Sequence, residues 1–435
     1  MRTKTIRRRE LLKAGLGSLS LVVLPIHSVR AADQVAVLTH TAFLKGLGGE
    51  AGPDSMWAKF SRQQDVKLQF KTQGQHSDLR AGFFREVSLQ PSLTDVGVIK
   101  PDWFGETQLN LLEPLNGYMS SKPIEDFDDM FGGFVEFSRF KGTQYFIPFM
   151  TGTWLLFIRQ DLYDKYGVKH PVSTEELADQ ARYLHKRDGS DVFGMLIPGN
   201  KGQQWQFFKT IAGAFGQKSL IDESGNPSLN SKAAVDSFQI IVDLVRDRII
   251  PGNMTEFSNA ETLNLWQQGK VASGISFSSW FKLFNDPKSS TIGGKWSALA
   301  WPPADALRNR PQEVYGYMTT WMVGLARNSA EKEMGWELIR HLTSKATLKT
   351  AAAKFGMQSA RKSVWEDSAV RGTLLTADAT LAQLQKASPP WPLGTNNAVQ
   401  ILDVLGEELQ LAYLGRKSVS EALGSANDRA RQLLR

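Results

Sequence analysis

Three observations predict an α/β fold built on mostly parallel sheets. Short β-rich runs alternate with amphipathic helical windows, the order in which helices cover both faces of a parallel sheet. The chain has 435 residues. That is beyond the size at which one core keeps growing, so two or three domains are expected. No repeat or low-complexity linker separates them, which fits lobes joined by several strands rather than by one tether.

In chain order, residues 35–39, 66–70 and 94–99 read as buried strands, with helical patterns around 55–63 and 78–89 between them. Residues 144–149 are extended, and 154–158 form another apolar strand. Ser173 followed by Glu176 predicts a capping box and a helix to about Arg187. Ser231 caps the next helix, whose stripe of Val235, Phe238, Ile241, Val242 and Val245 falls on one face. Pro251-Gly252 ends that segment. Ser329 is expected to cap a third helix, with Met334, Leu338 and Leu342 inward. Helices over 398–414 and 419–434 close the chain.

Composition narrows the function. At 42% hydrophobic and 22% charged, the chain is ordinarily globular. Its formal charge is +7, but residues 1–31 hold seven basic groups against Glu10 alone. The remainder is nearly neutral, which argues against a nucleic-acid partner. Zero cysteines exclude disulfides, thiolate metal sites, thiol nucleophiles and a lipid-modified N-terminal Cys.

Residues 1–31 read as an export signal. A basic start precedes an apolar run of 13 residues, Ala14 to Ile26, too short to span a bilayer. Val29-Arg30-Ala31 suits cleavage after Ala31. Arg8-Arg9-Glu10-Leu11-Leu12-Lys13 resembles a twin-arginine signal, which would export a folded chain. An ordinary secretory leader with a chance Arg pair is the alternative. A soluble periplasmic product is expected.

Catalytic and metal motifs are absent: no H-E-x-x-H, G-x-S-x-G or G-x-x-x-x-G-K-[ST] occurs, and the His residues show no ligand spacing. No catalytic residue, metal or cofactor is expected. Glu125 to Asp129 lacks the glycine of a calcium loop, because Phe131 takes its place. Residues 222–227 read as a turn between strands.

Four segments carry a resemblance. They are Tyr145-Phe146-Ile147-Pro148-Phe149-Met150-Thr151-Gly152-Thr153, running on to Asp161-Leu162-Tyr163; His170-Pro171-Val172-Ser173-Thr174-Glu175-Glu176-Leu177; Leu229-Asn230-Ser231 through Ile249-Ile250-Pro251; and Trp266-Gln267-Gln268-Gly269-Lys270-Val271-Ala272 with Ser278-Ser279-Trp280. In order and spacing they resemble the extracellular solute-binding protein family 1, which contains maltose- and other sugar-binding proteins. The resemblance implies a two-lobed periplasmic-binding-protein fold of the class II type, each lobe a mostly parallel sheet flanked by helices, with the ligand cleft between them. It places one lobe over residues 33–146 plus 293–345 and the other over 147–292 plus 346–435. It also implies delivery to the permease subunits of an ABC importer, possible pairing with a chemoreceptor, and a monomer.

A sugar ring offers an apolar face and a rim of hydroxyls, so flat aromatics beside fixed polar groups would bind it. Trp57, Trp266, Trp336 and Trp365 sit among apolar helical neighbours and read as core, as do Trp296 and Trp301. Trp205 stands in a polar helix start and Trp280 in a turn after a strand; both match aromatic cleft positions of the family. Trp321 and Trp391 are further candidates. The resemblance adds Asp102 and Trp103 after the third strand, and Thr151 and Gly152 past the hinge. Arg361 and His40 could each be structural or ligand-facing. A carbohydrate is the expected solute. A polyamine, sugar phosphate or sulfonate on the same fold, and a secreted carbohydrate-active enzyme, are the alternatives. Lys45, Lys100 or Arg361 facing the cleft would favour an anion.

Overall fold

The computed structural model describes residues 34–435, so the expected leader lies outside the described residues. Eleven strands follow in chain order: β1 (Gln34–His40), β2 (Lys67–Gln73), β3 (Val96–Ile99), a short hairpin of β4 (Arg139–Phe140) and β5 (Thr143–Gln144), β6 (Ile147–Gly152), β7 (Trp154–Ile158), β8 (Phe193–Leu196), β9 (Val271–Phe277), β10 (Ser297–Leu299) and β11 (Thr319–Leu325). They form two main sheets, ordered β2-β1-β3-β11-β6 and β10-β7-β9-β8.

In the first sheet β1 runs parallel to β2 and β3, while β11 pairs antiparallel with β3 and β6. Val35, Ala36, Val37, Leu38 and Thr39 are all buried, as a strand covered on both faces requires. One cover is the helix His76–Val87, which buries Leu79, Phe83 and Val87. It lies so close to β3 that a Cβ on Gly97 would fall 2.4 Å from the Phe83 ring. The helix Met56–Gln64 buries Met56, Trp57 and Phe60, with Ser55 as its N-cap.

In the second sheet β8 and β9 are parallel, and β7 is antiparallel to β9 and β10. The helix Lys232–Arg246 buries Phe238, Ile241 and Leu244 of its apolar face, capped by Ser231 as expected. The terminal helices Ala398–Tyr413 and Val419–Leu433 pack on it.

Several local expectations shift. Ser173 caps its helix, but Glu176 accepts from Val172 N at 2.8 Å instead of closing the box on Ser173. Ser329 is not the N-cap of its helix, a place taken by Glu331; its hydroxyl accepts from Glu331 N at 3.0 Å and donates to Asp95 Oδ1 at 2.8 Å. Asp95 in turn accepts from Ala36 N through Oδ2 at 2.8 Å, so a buried carboxylate pins the start of β1 to the loop before the helix Lys332–Thr343. Two strands also pair on the far side of the expected lobe boundaries. β6 belongs to the first sheet through β11, and β10 to the second through β7. The chain passes between the two sheets at Thr153 and between β10 and β11, and a third segment, residues 357–361, lies beside them, where Thr151 N bonds Gln358 O at 3.0 Å. Ladder pairing outranks the sequence boundary because each strand buries its backbone groups in the sheet it joins.

Candidate functional site

Both sheets turn edges toward these crossings, and ligands of open α/β sheets lie beyond the carboxyl ends of the parallel strands. On the first lobe, β1 ends at His40. Its Nδ1 accepts from Ala42 N at 3.1 Å and its Nε2 meets Gly74 O at 2.9 Å, so both ring nitrogens are used within the lobe. Its ring packs with His76, Phe43 and Trp321 at 5.5, 5.6 and 5.9 Å. Trp321 continues the group, meeting Phe43 at 4.6 Å, His76 at 5.1 Å and Trp103 at 5.8 Å. After β3, Lys100 and Asp102 form an ion pair of 2.8 Å. That pair uses Asp102 Oδ2; Oδ1 is buried without a hydrogen-bond partner. His76 remains exposed, yet desolvation and then the Lys100 charge hold its pKa down to about 4, so its ring is neutral near neutral pH.

On the second lobe the edge is aromatic. Trp154 opens β7 and stacks on Phe277, the last residue of β9, at 3.8 Å and 26°. Its indole donates to Gln206 Oε1 at 3.0 Å. Trp280 is half-buried in the following turn, 5.9 Å from Phe277. Trp205, in the first turn of the helix Gln204–Ala214, meets Tyr317 edge-on at 5.5 Å and Trp391 at 5.7 Å.

Two cavities lie between these edges. One of 270 Å³ sits on the crossings, with Thr151, Gly152, Thr319 and Gln358 below, Phe43 from the first lobe and Phe277 from the second. Gln358 Oε1 accepts from Ser278 Oγ at 2.8 Å, while its Nε2 is buried without a partner. The other, of 390 Å³, has Asp102 and Trp103 on one wall and Asn396 and Val399 on the other. There Glu106 N bonds Asn396 Oδ1 at 3.2 Å across the lobes. Among the described residues, no cluster of His, Asp and Glu could hold a metal ion, and no helix is long and apolar enough to cross a membrane.

Residues 47–349 match the family model described as bacterial extracellular solute-binding protein. The chain belongs to that family. This solute-binding protein is 23% identical over 289 residues to a mannitol-binding protein of Pseudomonas aeruginosa, covering 65% of this chain and 64% of that one. Its fold is similar to maltose-bound MalE3 of T. maritima, with a TM-score of 0.74, 21% identity, and coverage of 92% of this chain and 100% of that one. It is similar also to the sugar-binding protein MalE of Xanthomonas citri, with a TM-score of 0.75, 20% identity, and coverage of 92% and 97%. The fold is the two-lobed α/β architecture of such binding proteins.

The structure thus gathers Trp103, Trp321 and His40 on one edge, Trp205 with Trp391 near the other, and Thr151 and Gly152 on the floor. Trp280 stands at the rim of the second edge. Arg361 goes elsewhere. Its fully buried guanidinium donates to the carbonyls of Thr343, Asp126 and Glu125 and lies 3.6 Å from Asp129, a fastener rather than a ligand group. The carbonyls of Glu125 and Asp126 are its acceptors, while the side chains of Glu125, Asp126 and Asp128 stay exposed around the short 3-10 turn Phe127–Asp129. Sequence reasoning passed over Trp154, Phe277, Tyr317, His76 and Gln358 as site residues. For Trp154 and Phe277 a signal existed, since both sit at strand ends on one edge. Tyr317 lies in an irregular crossing and carried none.

Proposed function

We propose that this protein is the soluble periplasmic component of an ABC importer and that it captures a neutral carbohydrate or polyol between its lobes without chemical turnover. The observation that carries the reading is Asp102. It is a carboxylate already neutralised by Lys100, with a second oxygen free to accept a hydroxyl, beside the rings of Trp103 and Trp321. A sugar needs that pairing of acceptor and flat apolar surface. Of the groups that would have favoured an anion, Lys100 is neutralised by Asp102 and Arg361 is spent on backbone carbonyls, which leaves Lys45, exposed on the short helix Thr41–Gly46, as the remaining cation. The names of its relatives, which bind mannitol and maltose, support the same class.

The wall of Trp205, Tyr317 and Trp391 and the rim of Trp154, Phe277 and Trp280 supply stacking surface from the second lobe. The leader, cleaved near Ala31, delivers the chain to the periplasm, and the loaded form passes its solute to the permease subunits. A thermal-shift screen against neutral sugars and polyols, with sugar phosphates, sulfonates and polyamines alongside, tests the ligand class, because a solute that binds only the folded state raises the melting point. Stabilisation by a charged solute and by no neutral one would overturn it. Product analysis of the stabilising sugar tests the absence of turnover, and N-terminal sequencing of the periplasmic fraction tests export.

A further inference from the structure

Lys209 lies one helical turn beyond Trp205, and none of it reaches solvent. It makes no ion pair among the described residues. Its amine donates to Ser388 Oγ at 3.1 Å and approaches the Gly316 carbonyl at 3.4 Å. Those two acceptors sit on the two segments that carry the other rings of the wall. Gly316 immediately precedes Tyr317, and Ser388 lies three residues before Trp391. The segments are tied to each other by Gly316 N to Lys386 O at 2.8 Å and Ser388 N to Gly316 O at 3.2 Å. They are pressed onto the helix as well: Tyr315 N bonds Gly213 O at 2.9 Å, and a Cβ on Gly213 would fall 2.1 Å from the Tyr315 carbonyl oxygen.

We propose that Lys209 is a positioning residue for the binding wall, its amine holding the Gly316 carbonyl and the Ser388 hydroxyl so that Tyr317 and Trp391 stand against Trp205. The proposal rests on the reading of that wall as ligand-facing. An apolar side chain of the same length would fill the volume, but it would leave the Ser388 hydroxyl oxygen without a donor and the Gly316 carbonyl with the Ser388 N–H alone. Burial with no carboxylate partner also lowers the amine's pKa to about 7. The charged and titratable groups along the contacting segments are Tyr315 and Tyr317 beside Gly316, Lys386 on the strap, and Lys218, whose carbonyl accepts from Ser388 Oγ and whose ammonium pairs with Glu136 and Glu223. A neutral amine has two N–H groups for its two acceptors. An ammonium adds a third N–H and a charge with nothing to meet them. Protonation therefore loosens the strap, and the wall loses its geometry as pH falls through about 7.

The test is a near-UV circular-dichroism titration of the exported chain without ligand, from about pH 8.5 to about pH 5.5, reading the Trp205–Trp391 pair. Wild type should change with a midpoint near neutrality. Lys209→Met should hold one signal across the range, and Trp391→Phe should remove the transition. Affinity for the sugar or polyol that stabilises wild type most, with maltose and D-mannitol among those tried, should fall on the order of fivefold in Lys209→Met. A wild-type signal that does not change with pH overturns the proposal even if no variant folds, as does a Lys209→Met chain that keeps the wild-type titration. If Lys209→Met abolishes the transition while Trp205→Ala binds sugar normally, the hold by Lys209 stands and the ligand-facing reading of the wall falls.

Discussion

The two edges of the cleft are built from different chemistry. The first lobe sets an ion pair and two histidines among its rings, whereas the second presents Trp154, Phe277, Trp280 and Trp205 with few charges. The difference follows from the chain. β1 and β3 end in loops that return polar residues to the edge, at His40 and at Lys100 to Asp102. β9 and the helix Gln204–Ala214 instead bring rings to theirs. On the proposed function, one lobe would supply orientation through hydrogen bonds and the other contact area. A bound sugar would be gripped by its hydroxyls on one side and by a ring face on the other.

Substitutions can break that division. The largest effect belongs to Trp205→Ala, because Trp205 is 6% exposed and wedged between Tyr317 and Trp391. Removing it should cost about 3 kcal/mol of stability and weaken sugar binding by about 2 kcal/mol or more. Denaturant titration and calorimetry on one preparation separate the two losses. A stability loss with unchanged affinity would make Trp205 a packing residue only.

Asp102→Ala should come next. It removes the acceptor and leaves Lys100, nine-tenths buried, without its partner. An affinity loss of about 2 kcal/mol is expected, the scale of a hydrogen bond to a charged group. Calorimetry reads it, and tighter binding of sugar phosphates by the variant would follow from the freed Lys100 charge. Trp280→Ala should cost about 1 kcal/mol of affinity with little change in melting, because the ring is only half-buried. A large drop in melting temperature would move Trp280 into the core class of Trp336, which is fully buried and donates its indole N–H to Lys122 O at 3.0 Å.

The smallest effect is the pH response of His76. Its pKa is about 4 in the folded chain against 6.5 for an ordinary histidine. Between those values the unfolded chain binds the extra proton, so this residue makes stability fall as pH drops from 6.5 toward 4. His76→Gln should flatten that part of the profile slightly, measured by denaturant unfolding at several pH values. An unchanged profile would mean that the first edge is wetter than its neighbours suggest.

Much of this architecture was legible in the residues. Ser55 and Ser231 cap the helices expected of them, and the apolar run of β1 is buried throughout. Trp57, Trp266, Trp336 and Trp365 are core, as their helical neighbours implied. The candidate site was legible only in part. Asp102 and Trp103, Thr151 and Gly152, and Trp205 with Trp391 each lie beside a cavity or ring cluster between the lobes. Arg361 does not, because its partners at Glu125 and Asp126 are more than two hundred positions away in sequence. Ser329 misses the cap because the helix begins at Lys332 with Glu331 as its N-cap, so the serine hydroxyl accepts from Glu331 N one residue before the first turn.

Periodicity, caps, the absence of cysteine and the excess positive charge of residues 1–31 were determined by the sequence alone, since each depends on neighbours a few positions apart or on simple composition. Tertiary structure alone decided which sheet takes β6 and β10, which indoles meet across the crossings, that Asp102 keeps one oxygen free, and that Lys209 is sealed beneath the wall. Those outcomes depend on hydrogen bonds and contacts between segments far apart in the chain, and no local pattern records which distant group will satisfy a buried one.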